Sequence, residues 1–226
     1  MDLLRMDWRD VGFLHWAVDP ETVTETLPDR LSVDTYDGDA YLGVVPFRMA
    51  DIRPKGSPIG RSFGELNLRT YVEADGVPGV YFYNLDADDA IGVGIARRLF
   101  QLPYYRARMR VDRRDGAVRF RSRRTHDGVA PARFDATYEP DGPATTPDPG
   151  SLTSFLVERY RFYADSDGGR LYYADIDHAP WPLRPGQATV ERNDLFTANG
   201  FERPEGEPLV HFSDGIEVTA GRLRRL

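Results

Sequence analysis

Glu65, Asn67, Arg69 and Tyr71 occupy alternate positions in FGELNLRTYVEADG, with Leu66, Leu68 and Thr70 between them. A β-strand sends alternate side chains to opposite faces, so a strand here sets a carboxylate, an amide, a guanidinium and a phenol in one row. Two readings stay open at this point. On a solvated face, Glu65 and Arg69 form an exposed pair worth about 0–1 kcal/mol. Turned inward, Glu65 is the catalytic candidate as general acid or base. Arg69 then becomes a carboxylate clamp, and Asn67 and Tyr71 ligand-binding hydrogen-bond partners.

Other chemistry-bearing residues are fewer. Tyr81 and Tyr83 alternate in GVYFYNLDA, and Tyr104 and Tyr105 follow Pro103; buried tyrosines commonly serve as apolar rings with a satisfied hydroxyl. His15, His126, His178 and His211 are scattered without HxH, HxxxH or HExxH spacing, so no metal site is expected. Phosphate-binding loops, GxSxG and SxxK motifs are absent, and no cofactor is expected.

A hairpin rich in arginine is the second unusual feature. If Asp115-Gly116 is a two-residue turn, Arg110 faces Arg121 and Arg108 faces Arg123. Like charges directly across a strand pair are unfavourable. Residues 105–125 hold nine arginines and two aspartates, a local +7 in a chain of net −7, which leaves −14 elsewhere. Arg108, Arg110, Arg121 and Arg123 form a candidate anion or partner patch, unless acids from other strands neutralise them.

The elements that must position these groups read as α+β. VGFLHWAV (11–18) has the β-branched and aromatic content of a buried strand. Asp19 and Pro20 start a helix near 20–27 that ends at Pro28. A strand near 31–35, the DGD turn and the long strand YLGVVPFRMADIRP follow, with Pro46 marking an edge, a bulge or a bend. SFGELNLRTYVEA and GVYFYNLDA pair through ADGVPG. A helix is expected over 88–100, where aspartates lead and Arg97 and Arg98 close. A strand over ARFDATYEP, a helix over 151–158 capped by Ser151, and strands at GRLYYADIDHAPW, QATVERN, PLVHFSD and IEVTAGR complete the chain. The expected architecture is a mainly antiparallel, curved sheet or β-barrel enclosing a cavity, with about three short helices, in a single domain over 1–226.

The chain has 226 residues and no cysteine, which excludes disulfides, thiolate catalysis and Cys-based zinc sites. No run of about 18 apolar residues and no leader-like N-terminus occur, so a cytoplasmic protein without membrane contact is expected. All basic residues except Lys55 are arginine, and 25 of the 36 acids are aspartate. That skew fits a GC-rich, salt-tolerant, haloarchaeal source.

Several stretches together resemble one family: HWAVDPE, DGDAYLGVVPFRM, ELNLRTYV, GVYFYNLDA, RRLFQLPYYRARM, GSLTSFLVERYRFY and HAPWPL. They are similar, in order and over most of the chain, to the YqjF-like family called domain of unknown function 2071. The resemblance implies an acetoacetate decarboxylase-like fold, a barrel or cone around a cavity with helices outside. In the decarboxylase, a lysine soon after a helix and an aromatic-Pro pair forms a Schiff base; desolvation makes such an amine nucleophilic. The similar segment here, FQLPYY, places Tyr104 where the lysine is lost, and the one lysine, Lys55, sits in a Gly/Pro loop well upstream. Imine-forming decarboxylation is not expected. Glu65 resembles the decarboxylase's pocket glutamate in position, and the resemblance turns the Glu65 row inward, with Tyr81 and Tyr104 reaching the same cavity.

The expected function is binding of a small, carboxylate-bearing organic ligand, with any catalysis left open and of acid–base, lyase or isomerase-like type. The competing reading is a non-enzymatic interaction module using the arginine hairpin. Nucleic acid is disfavoured by the pI near 5.2, and a homo-oligomer stays open.

Overall fold

The computed structural model describes residues 3–89, 93–94, 101–166 and 169–226. Thirteen strands form one connected sheet: β1 (Leu4–Val18), β2 (Ser32–Val33), β3 (Ala40–Pro54), β4 (Arg61–Ala74), β5 (Val77–Ala87), β6 (Tyr104–Arg114), β7 (Ala117–Arg124), β8 (Arg133–Pro140), β9 (Arg161–Asp165), β10 (Leu171–His178), β11 (Arg184–Asn193), β12 (Leu209–Ala220) and β13 (Arg224–Arg225). Among the described residues there are three short helices, α1 (Pro20–Thr24), α2 (Leu152–Val157) and α3 (Leu195–Ala198). Pairing is antiparallel except where β5 meets β6 and β9. No helix of the described residues is long and apolar enough to cross a membrane.

The sheet closes twice. Strands β5-β6-β7-β8-β11-β12-β1-β3-β4 return to β5 as a nine-strand barrel. Strands β9 and β10 bridge β5 to β12 on the other side, making a seven-strand ring that shares β12, β1, β3, β4 and β5. Where the two rings run side by side the shared strands are covered on both faces, most completely in β4, which is buried without interruption from Glu65 to Val72. Leu66, Leu68, Phe120, Phe134 and Phe212 fill the nine-strand barrel. Phe13, Phe47, Val80, Phe162 and Trp181 belong to the core of the seven-strand ring, with Leu156 and Val157 of α2 against it.

Two bulges keep this alternation in phase with the closure. At Asp10, held at φ +55°, the inward set of β1 changes from Met6 and Trp8 to Val11 and Phe13. In β3 the register shifts between Met49 and Ile52.

Local chemistry explains the other elements. Asp19 accepts from the Glu21 N–H with Pro20 in the first turn, and Ser151 accepts from Ser154 N–H at the start of α2. Helix α1 stops at Thr24 rather than running to 27. The helix expected over 88–100 lies largely outside the described residues. The β4–β5 turn is the pair Asp75-Gly76, both at positive φ, so β5 already starts at Val77. PLVHFSD and IEVTAGR are one strand, β12, and α3 is a helix that the sequence reading left out.

Candidate ligand cavity

Strand β4 projects Glu65, Asn67 and Arg69 into the seven-strand ring, where they line a cavity of about 120 Å³. Tyr104, the first residue of β6, reaches it because Leu85 pairs with Tyr104 across the parallel β5–β6 joint. Trp8, Met49, Phe82, Leu102, Phe162 and Trp181 supply apolar wall. A small, mainly apolar cavity with a few converging polar groups is the usual form of a small-molecule site.

Glu65 is only 3% exposed. In an extended strand, residues four apart lie about 13 Å apart along the axis, so Arg69 does not neutralise it. Its contact is the Tyr104 hydroxyl, which donates to Oε2 at 3.0 Å. Burial pushes the Glu65 carboxyl up to about 8, against the opposing effect of that hydrogen bond. Burial, and then the Glu65 carboxylate, hold the Tyr104 phenol well above its ordinary range. At neutral pH the pair is a carboxylic acid and a phenol, both protonated.

Arg69 has the opposite character, a buried cation. Its Nη2 donates to Leu156 O at 3.2 Å and its guanidinium lies over the Phe13 and Tyr71 rings, 5.5 and 5.7 Å from their centroids. Its Nε is buried without a hydrogen-bond partner, as is Asn67 Oδ1. Among the described residues no carboxylate pairs with it. The second guanidinium of the lining, Arg159, is neutralised: Nη1 donates to Asp34 at 2.6 Å. Among the described residues the lining therefore holds one guanidinium without a carboxylate partner, Arg69, and one protonated acid, Glu65.

The other expected residues are distributed differently. Tyr71 shares the Arg69 face but is sealed behind it; its hydroxyl meets His15 Nε2 at 2.6 Å and it does not line the cavity. Burial first, then Arg69 and His211, lower the His15 pKa well below its usual value, so this imidazole is neutral. Tyr81 is a correction. Directly paired residues share a sheet face; Phe82 pairs with Arg69 and enters the cavity, whereas Tyr81 pairs with Thr70 and points to the reverse side. Its hydroxyl donates there to Asp165 at 3.0 Å.

Sequence reasoning missed Arg159 and His178, both in the lining. They fall inside the resembling stretches GSLTSFLVERYRFY and HAPWPL, which were the available signal. It also missed the polar cluster on the reverse side of β5. There Arg124 Nε donates to both Asp86 oxygens at 3.0 and 3.2 Å, Asn84 donates to Asp86 at 3.3 Å, and Asn199 donates to Asn84 at 2.7 Å. Burial pushes Asp86 up to about 6, opposed by Arg124.

Lys55 is exposed just beyond β3 and is not part of the cavity lining. The arginine hairpin has the expected register, Arg108 opposite Arg123 and Arg110 opposite Arg121, around an Asp115-Gly116 turn. Its acids come from nearby: Asp112 pairs with Arg110 at 2.7 Å and with Arg121 at 3.5 Å, and Asp135 of β8 pairs with Arg119 at 3.3 Å.

Known proteins place this geometry. The profile of DUF2071, an uncharacterized conserved protein family, matches residues 5–217. The uncharacterized protein YqjF of Bacillus subtilis strain 168 is 38% identical over 226 residues, covering 99% of this chain and 92% of that protein. Among solved structures, the enduracididine biosynthesis enzyme MppR complexed with pyruvate superposes with a TM-score of 0.70 at 17% identity, covering 99% of this chain and 90% of that one. An acetoacetate decarboxylase-like enzyme from Sphingomonas wittichii RW1 superposes with a TM-score of 0.65 at 17% identity, covering 100% and 94%. At these identities the two structures speak for the fold, which is acetoacetate decarboxylase-like. A family match across nearly the whole sequence, joined to that fold, makes this chain a member of the DUF2071 family.

Proposed function

We propose that this protein binds a small organic acid in the seven-strand ring. Arg69 takes the carboxylate, and the protonated Glu65–Tyr104 pair meets a carbonyl or hydroxyl group of the same ligand. The observation that carries this reading is the buried Arg69 guanidinium, which has no carboxylate partner among the described residues and an Nε without a hydrogen-bond partner in a mainly apolar cavity. A buried charge without a partner is costly, and an incoming carboxylate supplies the partner. That MppR was solved with pyruvate supports a ligand of this size and class.

Any reaction here is acid–base in kind. A carboxyl near 8 can donate a proton at neutral pH and take one back, which suits proton transfer beside a carbonyl. The amine that imine chemistry needs is not in the lining.

Pyruvate is the probe for the test. Calorimetric titration should show saturable binding that Arg69→Gln weakens at least tenfold, about 1.4 kcal/mol. Equal binding by Arg69→Gln would sink the clamp. Borohydride treatment with a β-keto acid should leave the mass of the protein unchanged, and a stable adduct on Lys55 would overturn the acid–base reading.

A further inference from the structure

The outer face of β6, β7 and β8 lies on the far side of the nine-strand barrel wall from its core and takes no part in the cavity. On β7 the inward set is Val118, Phe120, Ser122 and Arg124, all buried, while Arg119, Arg121 and Arg123 face outward. Arg123 is flanked by Arg108 on β6 and by Arg133 on β8, three arginines in a row across adjacent strands. Neighbouring strands are about 4.8 Å apart, so this row places like charges side by side at a cost. Arg108, Arg114, Arg123 and Arg133 have no ion-pair partner among the described residues.

Beside the row lies a shallow dish of about 310 Å³ bounded by Arg110, Arg114, Arg119 and Arg121, with Asp112, Ala117 and Thr137 between them. One carboxylate, Asp112, sits among these four guanidinia and is held by two of them. Asp135 takes Arg119. Each guanidinium carries five N–H donors in a fixed fork, so one or two acid contacts leave donors free. The Nε of Arg121 is buried without a partner.

We propose that this dish is a binding site for a compact, multivalent oxyanion, distinct from the cavity. Three features select that class. Guanidinium forks match carboxylate and phosphate oxygens in pairs. The dish has no aromatic side chain, so it offers no platform on which nucleobases stack. The chain outside residues 105–125 is net negative, which repels a long polyanion but not one confined to the dish.

Tripolyphosphate is the first probe and citrate the second, and their relative affinities separate a phosphate from a carboxylate ligand. Titration at low ionic strength should show saturable binding that weakens steeply with added salt. The exposed double variant Arg110→Gln/Arg121→Gln should lose at least tenfold in affinity at an unchanged melting temperature. Arg5→Gln, which removes an exposed pair with Glu217 elsewhere, should bind as the parent does. Chemical-shift changes on the parent should centre on 108–123, a readout that needs no variant. Absence of saturable binding by either anion overturns the proposal, as does full affinity in the double variant. So does a salt-sensitive self-association that the double variant abolishes while neither anion binds, because the face then serves an acidic protein surface.

Discussion

Glu65 and Asp86 are two buried carboxyls on adjacent strands with opposite surroundings. Glu65 pairs in register with Ala87, and Asp86 with Leu66, so the carboxyls sit one step apart and face different rings. Asp86 enters the packed nine-strand barrel, where Arg124 and Asn84 contact its oxygens. Glu65 enters the hollow seven-strand ring, where Tyr104 meets it and, among the described residues, no cation pairs with it. Burial acts on both, yet Asp86 moves up to about 6 and Glu65 to about 8. A buried carboxyl with a cation partner helps hold the fold together; one without, kept protonated beside a cavity, is what a ligand can use.

The comparison predicts unequal responses to the same neutralising change. Asp86→Asn leaves the Arg124 guanidinium buried and unpaired, so chemical denaturation should show a loss of about 3–5 kcal/mol. A loss below 1 kcal/mol would mean that the cluster is not a structural pair.

Glu65→Gln should act in the other direction. The folded carboxyl titrates above its ordinary value near 4.5, so between about 4.5 and 8 the unfolded chain gives up a proton that the folded chain keeps. The parent therefore loses stability as pH rises through that window and levels off above 8. Glu65→Gln removes this slope and should be more stable than the parent at pH 9 by an amount on the order of a few kcal/mol, with little difference at pH 4. Parallel stability–pH curves for the two proteins would refute the assignment.

How much of this the sequence showed depends on the residue. The alternation in ELNLRTYV reveals the row Glu65, Asn67, Arg69 from side-chain period alone, and the family resemblance places a cavity in front of it. Of the two readings, a solvated face and a pocket, the structure has the pocket for Glu65, Asn67 and Arg69; what the sequence does not show is that the opposite face is buried as well from Leu66 to Val72, because β4 is shared between two rings. Tyr81 fails for a related reason. Its face depends on the β4–β5 register, with Phe82 opposite Arg69 and a shift between Leu68 and Arg69, and no local pattern encodes that pairing. The Asp86–Arg124 pair joins residues 38 apart on strands that do not neighbour one another, with β6 between them. By contrast the arginine hairpin is local, and Asp115-Gly116 sets its register directly.

Smaller effects sharpen the contrast. Arg69→Met should stabilise the empty protein by about 1 kcal/mol or more, since an apolar side chain replaces a buried, unpaired cation, and should weaken pyruvate binding. A marked loss of stability would show that Arg69 is compensated after all. Tyr104→Phe should raise the Glu65 midpoint further by a fraction of a pH unit, because the phenol's hydrogen bond is what opposes burial. An unchanged or lower midpoint would remove Tyr104 from the site.

The most direct measurement is the protonation state of the two carboxyls at neutral pH. Infrared spectra of the parent, Glu65→Gln and Asp86→Asn proteins at pH 7 separate a protonated carboxyl from a carboxylate. The parent should show a carboxylic acid band that Glu65→Gln removes and that titrates near pH 8, while Asp86→Asn removes mostly carboxylate signal. A Glu65 that is already ionised at pH 6 would contradict the account.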